Sequence, residues 1–349
     1  MTNYNIRNGL KKCLDDNTLY ITVFGGSISE QNALHNWPDQ FGSLIKHENK
    51  KLNVVLENYA IGATTSDLAA TQFKKLCNKN TDVIFIEFAV NDFSMDSKLR
   101  YQTREGLIQQ AILHTSADII LVHTYCGEMY PYYINDELPE SIIEFEKIAE
   151  HYNLNSVNVG KIAFEKWQDG LVRFDEWLPD GLHPSYRGSS IYSNAVKDLF
   201  TNALATSNKH ELEETKSMTE LPWNNIIEPT MVNFKGPWIK KTMFEHWVDD
   251  FYWTSSPNAE ITVEGSGSYF VIGNKYGPGS SEIQYSINDG QWISVERTKE
   301  SWIVGQSWYR QEIIENPNPS MPINIRIKFI NDINNPGTNT IITHMLFIE

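Results

Sequence analysis

An α/β domain followed by an all-β domain is the fold class this sequence predicts, and three observations carry the prediction. The N-terminal part alternates short runs rich in Val and Ile with amphipathic helical stretches, the order that builds a parallel sheet covered by helices on both faces. A polar, charged stretch without strand pattern, residues 205–222 (ATSNKHELEETKSMTELP), interrupts that alternation. Beyond it come short alternating segments separated by turn signals, the pattern of an antiparallel sandwich. The expected boundaries are residues 1–204 for the first domain, 205–222 for a linker and 223–349 for the second, in keeping with about 100–200 residues per domain.

Strand candidates of the first domain are Leu19–Phe24, Leu52–Asn58, Asp82–Val90, Asp118–Tyr125 and the shorter Ser156–Val159. Their nearly continuous apolar character suits strands buried on both faces, and a five-stranded sheet results. Helical stretches Trp37–Lys46, Ser66–Leu76, Arg104–Thr115 and Pro139–Tyr152 lie between them, and Tyr186–Leu204 closes the domain. Ser66-Asp67 and Pro139-Glu140 suit helix starts, because a serine or aspartate can cap free amides and proline needs none. In the second domain the strand candidates are Glu260–Glu264, Tyr269–Ile272, Glu282–Ile287, Trp292–Val295 and Ile323–Phe329. Gly277-Pro278-Gly279, Asn288-Asp289-Gly290 and Asn335-Pro336-Gly337 supply the turns. Trp238, Trp247, Trp253, Trp292, Trp302 and Trp308, with Trp223 at the boundary, are read as core or interface aromatics.

Composition excludes several classes. Of 349 residues, 41% are hydrophobic and 21% charged, and no apolar run approaches a membrane span, so neither disorder nor membrane insertion is expected. A formal charge of −15 argues against nucleic acid as a partner, since phosphate binding relies on Lys and Arg; a neutral sugar or small ester fits better. Cys13, Cys77 and Cys126 match neither a disulfide framework nor a metal cluster, and Cys126 is read as a buried, inert thiol. His35, His47, His114, His123, His151, His210, His246 and His344 have no mutual ligand spacing, so no metal and no cofactor is expected. The first apolar run, Leu19–Phe24, belongs to the fold rather than to a cleavable signal, and a cytoplasmic protein with reduced thiols is the expectation.

In open parallel sheets, ligands sit beyond the carboxyl ends of the strands. Four signals fall there. Ser27 follows the first strand, Gly62 the second, Asn91 ends the third, and Asp180 and His183 precede the last helix. A serine hydroxyl is a weak nucleophile at neutral pH and needs a base to take its proton, a role for His183. Asp180, three residues away, would fix the imidazole tautomer and stabilise the imidazolium. The backbone amides of Ser27 and Gly62 and the side-chain amide of Asn91 are the candidate donors to an oxyanion.

Four blocks, Gly25-Gly26-Ser27-Ile28-Ser29, Asn58-Tyr59-Ala60-Ile61-Gly62, Ala89-Val90-Asn91-Asp92 and Asp180-Gly181-Leu182-His183-Pro184, stand in that order. Together they resemble the SGNH (GDSL-type) hydrolase superfamily, over residues 18–204. The resemblance implies a flavodoxin-like three-layer α/β/α domain. Joined to a β-sandwich, it looks like the architecture of carbohydrate acetylesterases that carry a jelly-roll-like accessory domain. The activity implied is that of a serine esterase removing a small acyl group, acetyl first, from a carbohydrate or glycan precursor through an acyl-enzyme. Two alternatives stay open: an O-acyltransferase, in which a sugar hydroxyl replaces water, and a non-catalytic glycan-binding scaffold.

Two positions depart from the family pattern. Gly26 stands where aspartate is frequent, so that side chain's hydrogen bonds to the surrounding loops would be missing. Ala89 stands where glycine is usual, a change that costs little if the backbone angles admit a Cβ. The partner expected is a small acylated carbohydrate. Tyr130 and Tyr132, in the loop after the fourth strand, could stack on a sugar or equally pack on other protein surface. Trp37, with His35 and Asn36, could line the pocket; Trp37 could equally be core. An exposed aromatic surface would favour a homo-oligomer.

Overall fold

The parallel sheet of the first unit is assembled from apolar runs short enough to be strands and too continuous to leave a face wet. The structure, a computed structural model, describes residues 5–6, 16–30, 35–206, 208–209, 216–245, 248–257, 259–297, 305–331 and 337–349. Cys13, His210, His246, Trp247, Trp302, the Asn335-Pro336 pair and residues 207 and 210–215 of the expected linker lie outside the described residues. Its contacts divide the chain into Met1–Pro222 and Trp223–Glu349.

In chain order the first unit contains Thr18–Gly25 (β1), Trp37–Glu48 (α1), Asn53–Asn58 (β2), Ser66–Leu76 (α2), Val83–Glu87 (β3), Ser97–His114 (α3), Asp118–His123 (β4), Glu140–His151 (α4), Asn155–Asn158 (β5), Val159–Gln168 (α5) and Tyr186–Thr206 (α6). All five strands are parallel, in the order β2-β1-β3-β4-β5. This is the flavodoxin-like order, and its switch point lies between β1 and β3, the place where sheets of this kind generally bind their ligands. Every residue of β3 and β4 is buried. Trp37 and Phe41 of α1 pack edge-on against Phe85 of β3, fixing that helix to the sheet.

Helix starts follow local chemistry. Asn36 accepts the Asp39 amide at 2.8 Å to cap α1, and Asn158 accepts the Lys161 amide at 2.7 Å to cap α5. The sequence predicts a helix from Arg104, but α3 already begins at Ser97. Its first turns bury Arg100, Gln102, Thr103 and Arg104 rather than apolar side chains. Arg100 is matched by Glu144 at 2.6 Å and Arg104 by Asp92 at 2.7 Å, so polar pairing conceals the helical period there. Helix α5 falls where the sequence reading marks none, because β5 is only four residues long and runs into it directly. No described helix is long and apolar enough to cross a membrane.

The second unit is a sandwich of antiparallel sheets built from Met231–Lys235 (β6), Ile239–Glu245 (β7), Val248–Thr254 (β8), Glu260–Gly265 (β9), Tyr269–Tyr276 (β10), Glu282–Ile287 (β11), Ile293–Ser294 (β12), Trp308–Glu315 (β13), Ile323–Ile330 (β14) and Gly337–Ile348 (β15). One sheet runs β7-β8-β15-β10-β13 and the other β12-β11-β14-β9-β6. Inward residues of both, among them Ile261, Phe270, Ile325 and Phe347, form one core. Strands β6, β7, β8, β13 and β15 are additional to those the sequence marks. In β15 a bulge explains the omission: Gly273 pairs with His344 and Asn274 with Ile342, so the extra residue between them breaks the two-residue alternation.

Candidate active site

Strand β1 delivers the chain to a tight turn in which the Ser29 amide donates to the Gly26 carbonyl at 3.0 Å. Ser27 stands on this turn, and its Oγ lies 2.8 Å from His183 Nε2. His183 Nδ1 lies 2.8 Å from Asp180 Oδ2. A carboxylate can only accept, so Nδ1 carries the proton and Nε2 presents its lone pair to the serine hydroxyl. Asp180 Oδ1 accepts the backbone amides of Leu182 at 2.9 Å and His183 at 2.7 Å. Desolvation opposes ionisation of Asp180, but these hydrogen bonds, led by that of the His183 ring, outweigh it and hold the carboxyl below its ordinary value. The His183 and Asp180 side chains are 45% and 54% exposed, so water reaches the acid–base pair. Gly181, at φ +80°, gives the loop a left-handed residue, and its carbonyl accepts the Gly127 amide at 2.7 Å.

The second block closes on the first. The Ile61 amide donates to Gly25 O at 3.0 Å, and Asn58 Nδ2 donates to Ser29 O at 2.7 Å. A Cβ built on Gly62 would lie 3.5 Å from Ser27 Cβ and 3.0 Å from Glu30 Oε2. Gly62 is thus pressed against the nucleophile with a carboxylate alongside. Residue 63, an alanine at φ +58°, holds the loop in a conformation that L-residues avoid.

Asn91 explains the glycine at position 26. A Cβ there would stand 2.0 Å from Asn91 Oδ1 and 2.4 Å from Nδ2, so the Asn91 amide fills the space an aspartate side chain would enter. Lost hydrogen bonds are the expectation from the sequence at this position; in the structure the Asn91 side-chain amide, the candidate oxyanion donor, is seated against the Ser27 turn. Ala89 is buried with ordinary backbone angles, so its Cβ is accommodated. Behind Asn91, fully buried Asp92 accepts the Ser66 amide at 2.9 Å and pairs with Arg104, anchoring the start of α2.

Ser27, His183, Asp180, Gly62 and Asn91 therefore meet at the carboxyl end of the sheet. Trp37 does not join them as a pocket residue. Its ring is 0% exposed in the core, where the indole N–H donates to Ser29 Oγ at 2.8 Å, and this corrects the substrate-lining expectation. Tyr130 and Tyr132 are 42% and 37% exposed; the first leans on Phe164 and Trp167 and the second on Phe93. Cys126 is buried, and burial pushes its thiol up to about 11, the behaviour of an inert cysteine. Residues the sequence reading did not assign include Glu30, Ser29 and Glu87. The signal for Glu87 was a single carboxylate ending the otherwise apolar strand Val-Ile-Phe-Ile-Glu.

Residues 23–191 match the GDSL-like lipase/acylhydrolase family. A solved two-domain esterase, CEX, described as active on acetylated mannans and co-crystallised with mannopentaose, aligns over 99% of this chain and 96% of its own at 18% identity and a TM-score of 0.79. A second CEX structure aligns over 98% and 95%, again at 18% identity and 0.79. A variant of Axe2, an acetyl xylan esterase from Geobacillus stearothermophilus, aligns over 55% of this chain and 97% of its own at 15% identity and a TM-score of 0.44. No curated protein is significantly similar in sequence. The CEX likeness is one of fold and extends through both units. The match to the GDSL-like lipase/acylhydrolase family spans all four blocks assembled around Ser27, so the α/β unit of this chain is similar to that family over the whole of its candidate site.

Proposed function

We propose that the protein is a serine esterase that removes a small acyl group, acetyl first, from a carbohydrate or glycan precursor. The observation that carries the reading is the continuous chain Ser27–His183–Asp180, with 2.8 Å on each link. His183 Nε2 takes the Ser27 proton as Oγ bonds to the ester carbonyl carbon. The carbonyl oxygen becomes an oxyanion that faces the Ser27 and Gly62 amides and the Asn91 side chain. Collapse breaks the carbon–oxygen bond to the sugar, and the imidazolium returns the proton to the departing sugar oxygen. Water, deprotonated by the same imidazole, then attacks the acyl-enzyme, and the carboxylic acid and free serine result.

Solvent access to His183 favours water over a sugar hydroxyl as the second nucleophile. Three features support a neutral glycan: the formal charge of −15, the half-exposed Tyr130 and Tyr132 of the short helical segment 127–133, and the fold shared with an esterase described as acting on acetylated mannans. The test is turnover of 4-nitrophenyl acetate, butyrate and octanoate, with acetylated mannan and acetylated xylan alongside, by wild type and Ser27→Ala. Acetate-selective hydrolysis that disappears in the variant is the expected result. A wild type that hydrolyses none of these esters would overturn the reading.

A further inference from the structure

Glu87 ends β3 directly beneath the nucleophile turn and is fully buried. One carboxylate oxygen accepts the Thr124 hydroxyl at 2.6 Å, from the residue just beyond β4. The other accepts the Ser29 hydroxyl at 2.9 Å, and Ser29 Oγ in turn accepts the Trp37 indole N–H at 2.8 Å. The Gly26 backbone amide also donates to this carboxylate. A Cβ on Gly25 would lie 3.1 Å from Glu87 Oε2, so the turn rests on the carboxylate with no room to settle further.

We propose that Glu87 is a positioning residue for ester cleavage, pinning the turn at Gly26 and at Ser29 and so aiming both the Ser27 hydroxyl and the Ser27 amide. The inference rests on the esterase reading. Its reach is wider than Ser27, because Gly26 also carries the Asn91 amide against its α-carbon. Two of the three oxyanion donors therefore depend on where this turn sits. A group used only for packing would not be a carboxylate here. Burial pushes Glu87 up to about 7 even though the Thr124, Ser29 and Gly26 hydrogen bonds favour its charge, a cost that an apolar side chain would avoid. Facing it are two other titratable groups, Asp92, already paired with Arg104, and the buried Tyr192 phenol of α6.

The test is Glu87→Gln. A carboxamide has one acceptor oxygen and turns an N–H₂ toward the remaining donors, so at least one of the three ties is lost. Because a misplacement of about 1 Å costs roughly 10²-fold, kcat on 4-nitrophenyl acetate should fall about 10- to 100-fold. KM should stay within about twofold and melting should remain cooperative, the split expected when only transition-state contacts are disturbed. Ser29→Ala, which removes one tie and keeps the carboxylate, should lower kcat by about fivefold with KM unchanged. A folded Glu87→Gln with kcat within about twofold of wild type would overturn the inference alone, as would Ser29→Ala at wild-type kcat should the first variant fail to fold. Ser27→Ala in the same assay separates the two levels: wild-type turnover that persists without Ser27 would overturn the esterase reading, and this inference with it.

Discussion

The turn that carries Ser27 and the loop that carries His183 meet at one 2.8 Å hydrogen bond, and they are held in contrasting ways. The turn is tied through buried groups to residues far along the chain: Ser29 to Glu87, 58 positions away, and Gly26 against Asn91. The loop is tied chiefly to itself, through three hydrogen bonds from residues 182 and 183 to Asp180, with one backbone tie from Gly127 to Gly181, and both side chains of its acid–base pair are about half open to solvent. The difference teaches where precision is spent. On the proposed esterase reading, the Ser27 hydroxyl and the candidate oxyanion donors must be placed before charge develops, which suits a turn braced from the core. The base must exchange protons with substrate and water, so it is oriented locally and left accessible.

Perturbing each arm in turn sharpens that comparison. Ser27→Ala removes the atom on which both arms converge, and kcat should fall by about 10⁴-fold or more, as measured by ester turnover. Gly26→Ala places a Cβ where Asn91 lies, so it should displace an oxyanion donor and lower kcat by about 10²- to 10³-fold with little change in KM. Asp180→Asn strikes the other arm. Substituting the aspartate of a buried triad costs about 10⁴-fold, but this carboxylate is more than half exposed, and a smaller loss of about 10²-fold is expected from steady-state rates. A Gly26→Ala enzyme as active as wild type would break the contrast between a braced and a self-tied arm.

Stability against pH gives the smallest effect and the clearest sign. Glu87 is raised from 4.5 to about 7, so the fold favours its neutral form; the stability it contributes is complete below pH 4.5 and is lost as pH rises through about 7. Asp180 is lowered from 3.8, so its contribution is present above that pH and is lost as pH falls, and exposure keeps it small. Between about pH 5 and pH 8 the wild-type melting temperature should therefore decline relative to that of Glu87→Gln, read as a difference in slope by calorimetry. Parallel slopes would show that Glu87 does not titrate in that range.

The same contrast decides what the sequence reveals. Asp180 and His183 are legible because three residues of chain contain their whole relationship. Ser27, Gly62 and Asn91 are legible as block positions, each at the end of an apolar run that the parallel sheet turns into one edge. Glu87, Ser29 and the fit of Gly26 to Asn91 are not, since each exists only once β1 lies beside β3. Trp37 is misplaced for a related reason: proximity to Ser27 in sequence suggests the pocket, whereas the first turn of α1 points it into the core. In the fold, polar burial at Arg100 and Arg104 conceals the start of α3, and the bulge opposite Gly273 conceals β15.

The central claim is that Ser27 is a nucleophile activated by His183. Intact-protein mass spectrometry after treatment with a fluorophosphonate, followed by peptide mapping of wild type and His183→Ala, tests it most directly. The account requires one phosphonyl adduct per chain, on Ser27, formed at least about 10²-fold more slowly in the variant. An unlabelled wild type, an adduct on another residue, or equal rates in the two proteins would contradict it.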